Sequence, residues 1–224
     1  MKHAALMAYV LFFTSLMQAQ DRSATPAQTV FGELKNQVLS TGSRRVRLMD
    51  PTGRILWQYK GRNVHDCWML PNGHVLFADG QVTEIDPQTD EIVFQYVPQV
   101  TKGGGAFACQ RLANGNTVIG ENSTGRILEV TPDQTIAFAL QVQPFQPGSH
   151  HNLRMVRKLK NGNYLVCHSG EHMVREHTAQ GKIVFEVKLD NIAFSAVRLP
   201  NGHTLVGHIG HITECDAQGN SVWQ

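Results

Sequence analysis

Four Asn-Gly pairs, at Asn72, Asn114, Asn161 and Asn201, provide a ruler for the residues able to do chemistry. Seven positions before these asparagines stand His65, Phe107, Arg154 and Phe194, and seven positions after them stand Asp79, Glu121, His168 and His208. All four later positions are ionisable, whereas the positions four and five after the asparagine are apolar in every copy. If each Asn-Gly closes a hairpin, antiparallel pairing brings the two sets together at one end of the strands. The loop Gly148-Ser149-His150-His151 is expected at the same end. Imidazoles gathered there could bind an anion, coordinate a metal, or move a proton or a group, and Arg154 could clamp an anion. The ligand-binding candidates are therefore His65, Asp79, Glu121, His151, Arg154, His168 and His208, with His65 the catalytic candidate and no metal set assigned. The competing reading is that polar residues collect at exposed strand ends whatever their role.

Two other patterns are set aside. His168-Ser169-Gly170-Glu171-His172 matches H-x-x-E-H, but zinc-protease chemistry needs both histidines on one helix face, and Ser-Gly between two strands does not provide a helix. Lys102-Gly103-Gly104-Gly105 is followed by no helix and no Gly-Lys-Ser/Thr, and reads as a flexible connection rather than a phosphate loop. His74 and His203 flank turns at the opposite end and are assigned to solvated turns.

The elements that must position these residues follow from the same ruler. The four glycines after the asparagines recur at intervals of 42, 47 and 40, each preceded by leucine and followed by a β-rich run. Asn-Gly suits a two-residue hairpin turn because both positions then need positive φ. A second hairpin follows each first one, as in Val82 to Asp86 turning through Pro87–Asp90 into Ile92 to Tyr96. An earlier, degenerate copy has Asn36 to Gly42 for its first hairpin and Val46 to Tyr59 for its second. Five four-stranded units with no helical period between them predict an all-β propeller, with repeats at about 29–59, 64–97, 106–140, 151–187 and 192–224. The alternatives for closure are a ring of five and part of a six- to eight-bladed propeller; the second is favoured because the last unit stops inside its fourth strand.

Asp50-Pro51-Thr52-Gly53-Arg54-Ile55-Leu56-Trp57 and Asp216-Ala217-Gln218-Gly219-Asn220-Ser221-Val222-Trp223 resemble the blade signature of the pyrroloquinoline-quinone-like propeller repeats. The stretch His65-Asp66-Cys67-Trp68-Met69-Leu70-Pro71-Asn72-Gly73 is similar to one in the arylsulfotransferase propellers. The first resemblance implies the fold. The second implies group transfer through a channel histidine, for which His65 is the matching residue. Pyrroloquinoline quinone is not expected, because the adjacent cysteines and acidic calcium-binding set that accompany it in quinone dehydrogenases are missing from this sequence; no other cofactor is assigned.

Composition sets the outer limits. Lys+Arg 20 against Asp+Glu 18 gives no charge excess of the kind that nucleic-acid binding requires, and no such partner is expected. Lys2 and His3 precede the apolar run Ala4 to Leu16, too short to span a bilayer, which predicts a secretory signal over residues 1–19, a linker over 20–28 and a secreted or periplasmic protein without stable membrane insertion. The four cysteines lie far apart inside strand patterns and read as core residues rather than disulfides. The expected function is an exported propeller that binds a small-molecule or protein ligand at its histidine-rich rim; the alternative is an arylsulfotransferase-like enzyme. Protonation of the rim histidines near pH 6.5 would strengthen anion binding as pH falls from about 7.5 to 5.5.

Overall fold

A computed structural model describes residues 35–42 and 44–224. The expected signal and linker, and the first residues of the first repeat, lie outside the described residues. The described chain is an all-β propeller of five blades, and its only helical segment is one 3-10 turn at Ser169–Glu171. No helix among the described residues is long and apolar enough to cross a membrane.

The first sheet is made of β1 (Val38–Gly42), β2 (Arg45–Met49) and β3 (Ile55–Lys60). The second holds β4 (Asp66–Met69), β5 (Val75–Ala78), β6 (Val82–Ile85) and β7 (Ile92–Tyr96), and the third β8 (Ala106–Arg111), β9 (Thr117–Glu121), β10 (Arg126–Val130) and β11 (Ile136–Gln141). The fourth holds β12 (Met155–Lys158), β13 (Tyr164–His168), β14 (Met173–His177) and β15 (Ile183–Lys188), and the fifth β16 (Ala193–Arg198), β17 (Thr204–His208), β18 (His211–Cys215) and β19 (Ser221–Trp223). Strands pair with their sequence neighbours in every sheet. Of the first hairpin expected at Asn36 to Gly42 the described part is β1, which pairs from Val38 to Gly42 with Met49 to Arg45 and matches the second strand of the other blades; any strand before Lys35 lies outside the described residues.

The hairpin turns differ from the expected two-residue form. The Gly73 N–H donates to the Leu70 carbonyl while the Leu70 N–H donates to His74, so the loop has three residues, with Gly73 alone left-handed at φ +85°. Asn72 keeps negative φ and instead accepts the His74 N–H on its side chain at 3.1 Å. Asn114, Asn161 and Asn201 do the same for Asn116, Asn163 and His203. The Asn side chain thus closes a local turn, and the glycine supplies the left-handed residue of a bulged hairpin.

The core lies between successive sheets. Leu165, Val174, Phe185 and Val187 of the fourth meet Ala193, Ala196, Val206 and Cys215 of the fifth, and the earlier junctions repeat the scheme. All four cysteines are free, with Cys109, Cys167 and Cys215 in this core. A polar latch joins sheets two to five. Each forward face carries a row of an aliphatic residue, a glutamate and an aromatic: Leu76-Glu84-Phe94, Val118-Glu129-Phe138 and Leu165-Glu176-Phe185. The next sheet answers with a cation three residues before its hairpin asparagine. Arg111 pairs with Glu84 and lies over Phe94 at 5.3 Å; Lys158 pairs with Glu129; Arg198 pairs with Glu176 at 2.7 Å and lies over Phe185 at 4.4 Å. Between the first two sheets the corresponding positions hold Leu48 and Met69, and Trp57 Nε1 donates to Asp90 instead, at 2.9 Å.

Candidate functional site

The four residues seven before the asparagines come together in chain order at the rim where the first strands begin. The His65 ring lies 3.9 Å from that of Phe107, and the Arg154 guanidinium sits 5.7 Å from the Phe107 centroid and 5.1 Å from that of Phe194. Each residue comes from a different blade. In the third and fifth blades the first-strand pairing shifts by one residue at Phe107 and at Phe194, between Ala106 and Ala108 and between Ala193 and Ser195. Such a shift re-aims the extra side chain, which is how both phenyl rings reach the arginine.

His65 and Phe107 also line a cleft of about 580 Å³ together with Asp79, Arg62, Gln81 and His150. His150 packs edge-on against Phe107 at 4.7 Å and 5.7 Å from His65. Arg154 Nη1 stands 3.4 Å from His150 Nε2, and since guanidinium only donates, that nitrogen is an acceptor and the proton lies on Nδ1. The glycine run expected as a flexible connection is the packed wall of this cleft. Gly103, Gly104 and Gly105 all have positive φ, and a Cβ on Gly104 would lie 2.4 Å from the Phe107 ring while one on Gly105 would lie 2.1 Å from the Gly80 carbonyl.

The site is electrostatically unusual in two respects. Burial lowers the pKa of Arg154, and no carboxylate among the described residues offsets that cost. Burial, then Arg154, then His150 push His65 down to about 4, and His150 is lowered by burial and by Arg154. The expected protonation of this rim near pH 6.5 therefore does not hold for His65, which between pH 7.5 and 5.5 is a neutral hydrogen-bonding group. Its Nε2 faces the Asn63 amide nitrogen at 3.2 Å, which leaves the ring proton on Nδ1.

The residues seven after the asparagines separate from this group. Only Asp79 reaches the cleft: its Oδ2 accepts the Arg62 N–H at 3.1 Å, its Oδ1 is buried without a partner, and burial raises its pKa. Glu121 is enclosed and fully engaged by Tyr96, Thr124 and Arg126, at 2.6, 2.6 and 2.7 Å. His168 is buried with its Nε2 2.9 Å from His177 Nε2, and burial pushes it down to about 3. His208 is buried against Thr213 at 2.9 Å, with Asp190 3.3 Å from its other nitrogen. His151 is exposed beside His150. The structure thus places His65 and Asp79 on one cleft, with Arg154 against its Phe107 and His150, and Glu121, His168 and His208 inside the blades. No group of three or more potential metal ligands converges among the described residues. His150, Phe107 and Phe194 join the site although none was a candidate. The two phenylalanines shared the ruler position of His65 and Arg154, and that was the available signal.

No protein-family model and no curated protein matches this chain. Solved structures do, at the level of the fold. A protein of unknown function from Bacteroides caccae is 22% identical, with a TM-score of 0.69 over 83% of this chain and 70% of its own. Virginiamycin B lyase from Staphylococcus aureus is 15% identical, with a TM-score of 0.62 over 84% of this chain and 66% of that one. The WD40 β-propeller domain of Doa1, also 15% identical, has a TM-score of 0.62 over 82% of this chain and 60% of that one. The class they share with this chain is the β-propeller.

Proposed function

We propose that this chain is an exported propeller that binds a small anionic ligand at the rim of its axis, with Arg154 as the anion-binding group. One observation carries the reading: a half-buried guanidinium is held between Phe107 and Phe194 with no carboxylate among the described residues acting on it. Desolvating a cation is costly, and charges withdrawn from water in proteins ordinarily have partners. A ligand carboxylate, sulfate or phosphate would supply that partner through charge-assisted hydrogen bonds. His65 supplies a neutral N–H donor at its Nδ1, and His150 the edge of the cleft.

Sulfate titrated by calorimetry tests this. Arg154→Ala should weaken binding at least tenfold, while the double variant His74→Ala, His203→Ala at the opposite rim leaves it unchanged. Affinity should be nearly constant from pH 7.5 to 5.5 and rise only as pH approaches 4, where His65 gains its proton. Equal losses in the two variants would refute the reading.

A second reading, group transfer by His65, draws support from the stretch His65 to Gly73 and from an imidazole kept unprotonated down to about pH 4, whose Nε2 lone pair would meet a reacting group once the Asn63 amide moves aside. Turnover of a chromogenic aryl sulfate that disappears in His65→Ala would favour it over binding alone.

A further inference from the structure

The fifth sheet repeats the forward-facing row of the latched sheets, and no sheet among the described residues covers it. Leu205, Glu214 and Trp223 lie across β17, β18 and β19 in the register of Leu165, Glu176 and Phe185. Ile212 occupies the place of Val82, Ile127 and Val174. Those three are 0% exposed, whereas Ile212 is 53% exposed; Trp223 is 57% exposed against 5% and 9% for Phe94 and Phe185. The Glu214 side chain is 27% exposed where Glu84, Glu129 and Glu176 are 7–8%, and it meets only His203, at 2.7 Å, where each of the others holds a cation from the next sheet.

The backward face of the first sheet has the complementary chemistry. Val46, Leu39, Trp57 and Tyr59 point forward into the second blade, so strand alternation turns Arg45, Arg47, Lys60 and Val38 the other way. Among the described residues none of these three cations has a carboxylate within ion-pair distance, and Arg47 Nε is buried without a partner. Val38 is 37% exposed where its register equivalent in the second blade, Val75, is 0%. Within one copy, then, neither face covers the other.

We propose that the forward face of the fifth sheet docks the backward face of the first sheet of a second copy, with Glu214 against the Arg45–Arg47 pair and with Ile212 and Trp223 buried by the contact. The junction would be the latch between sheets two to five, made between chains. It is a heterologous contact, in which each copy offers one face and accepts the other. The occupant is a second copy because this chain carries both halves, an acidic apolar face and a basic one, each without a partner among the described residues.

Sedimentation of the purified protein from about 1 to 100 μM tests the proposal. The expected result is a mass rising with concentration to at least two copies, and falling as salt screens the charged pair. Glu214→Arg and the double change Arg45→Glu, Arg47→Glu should each leave monomers, and an equimolar mixture of the two should restore the dimer, since each variant then supplies the face the other has reversed. Ile212→Lys, at a site already half exposed, should give monomers with an unchanged circular dichroism spectrum. A wild-type monomer throughout, or association that ignores these substitutions, would overturn the proposal.

Discussion

Arg154 and His168 show opposite ways in which this chain withdraws a basic group from water. Arg154 remains a cation between two phenyl rings. His168 remains neutral: its Nε2 shares one proton with His177, while its Nδ1 is buried and unpartnered. The His177 ring also bonds the Gly181 backbone, an influence that raises its pKa, so that ring donates to the carbonyl and presents a bare nitrogen to the His168 Nε2–H. The arrangement holds only while both rings are neutral. An unfolded chain takes up the proton near pH 6.5 and the folded one near 3, so this contribution is complete above about pH 6.5 and is lost as pH falls towards 3. The loss is on the order of 5 kcal/mol for His168 once the pH is below 3. Urea unfolding at pH 7.5 and 4.5 should show the drop, and a His168→Leu, His177→Leu variant should show a smaller one; equal drops would place the acid sensitivity elsewhere.

At the scale of elements, the glycines fall into two kinds. Gly162 sits at φ +86° with nothing near a would-be Cβ, so Gly162→Ala costs only the left-handed backbone, about 1 kcal/mol. Gly104→Ala adds a clash with Phe107 and His150 to the same backbone cost. Both variants should be less stable by thermal unfolding, but only Gly104→Ala should lose sulfate affinity. This difference also marks what could be read from the sequence. Strand pattern and Asn-Gly spacing reveal the blades and the one rim, because they depend on local alternation and turn chemistry. The ruler also finds His65, Asp79 and Arg154. It cannot tell that Glu121, His168 and His208 turn into the blades, since their partners Tyr96, Arg126, His177 and Thr213 sit on other strands whose register the ruler does not carry. Nor could it choose between His150 and His151, adjacent in a loop without a period, or see that three glycines would be pressed against Ser149, Phe107 and Gly80.

For the molecule as a whole, blades that contact mainly their neighbours make stability a sum of local terms and junction terms. The junctions here are unequal. Those joining sheets two to five each hold a largely buried ion pair, which costs about 3–5 kcal/mol to break from one side. A second clasp, Asp66 with Arg157 at 2.7 and 2.9 Å, ties the second blade to the fourth. The first sheet has neither device: Leu48 and Met69 stand where the glutamate and the cation would be. That single exchange of charge for hydrocarbon has a kinetic meaning. Slow backbone amides should be distributed as a gradient along the chain, with β2 and β3 surrendering their protons to deuterium well before β9 and β13, because opening the first junction breaks no ion pair. Introducing the missing pair with Leu48→Glu and Met69→Arg should slow exchange in β2 and β3 and leave β13 as it was. Uniform protection across all five blades would mean that the propeller opens as one unit and that the latches set no order. If the gradient is found, the first blade is the hinge leaf of the molecule, free to swing while the other four remain bolted.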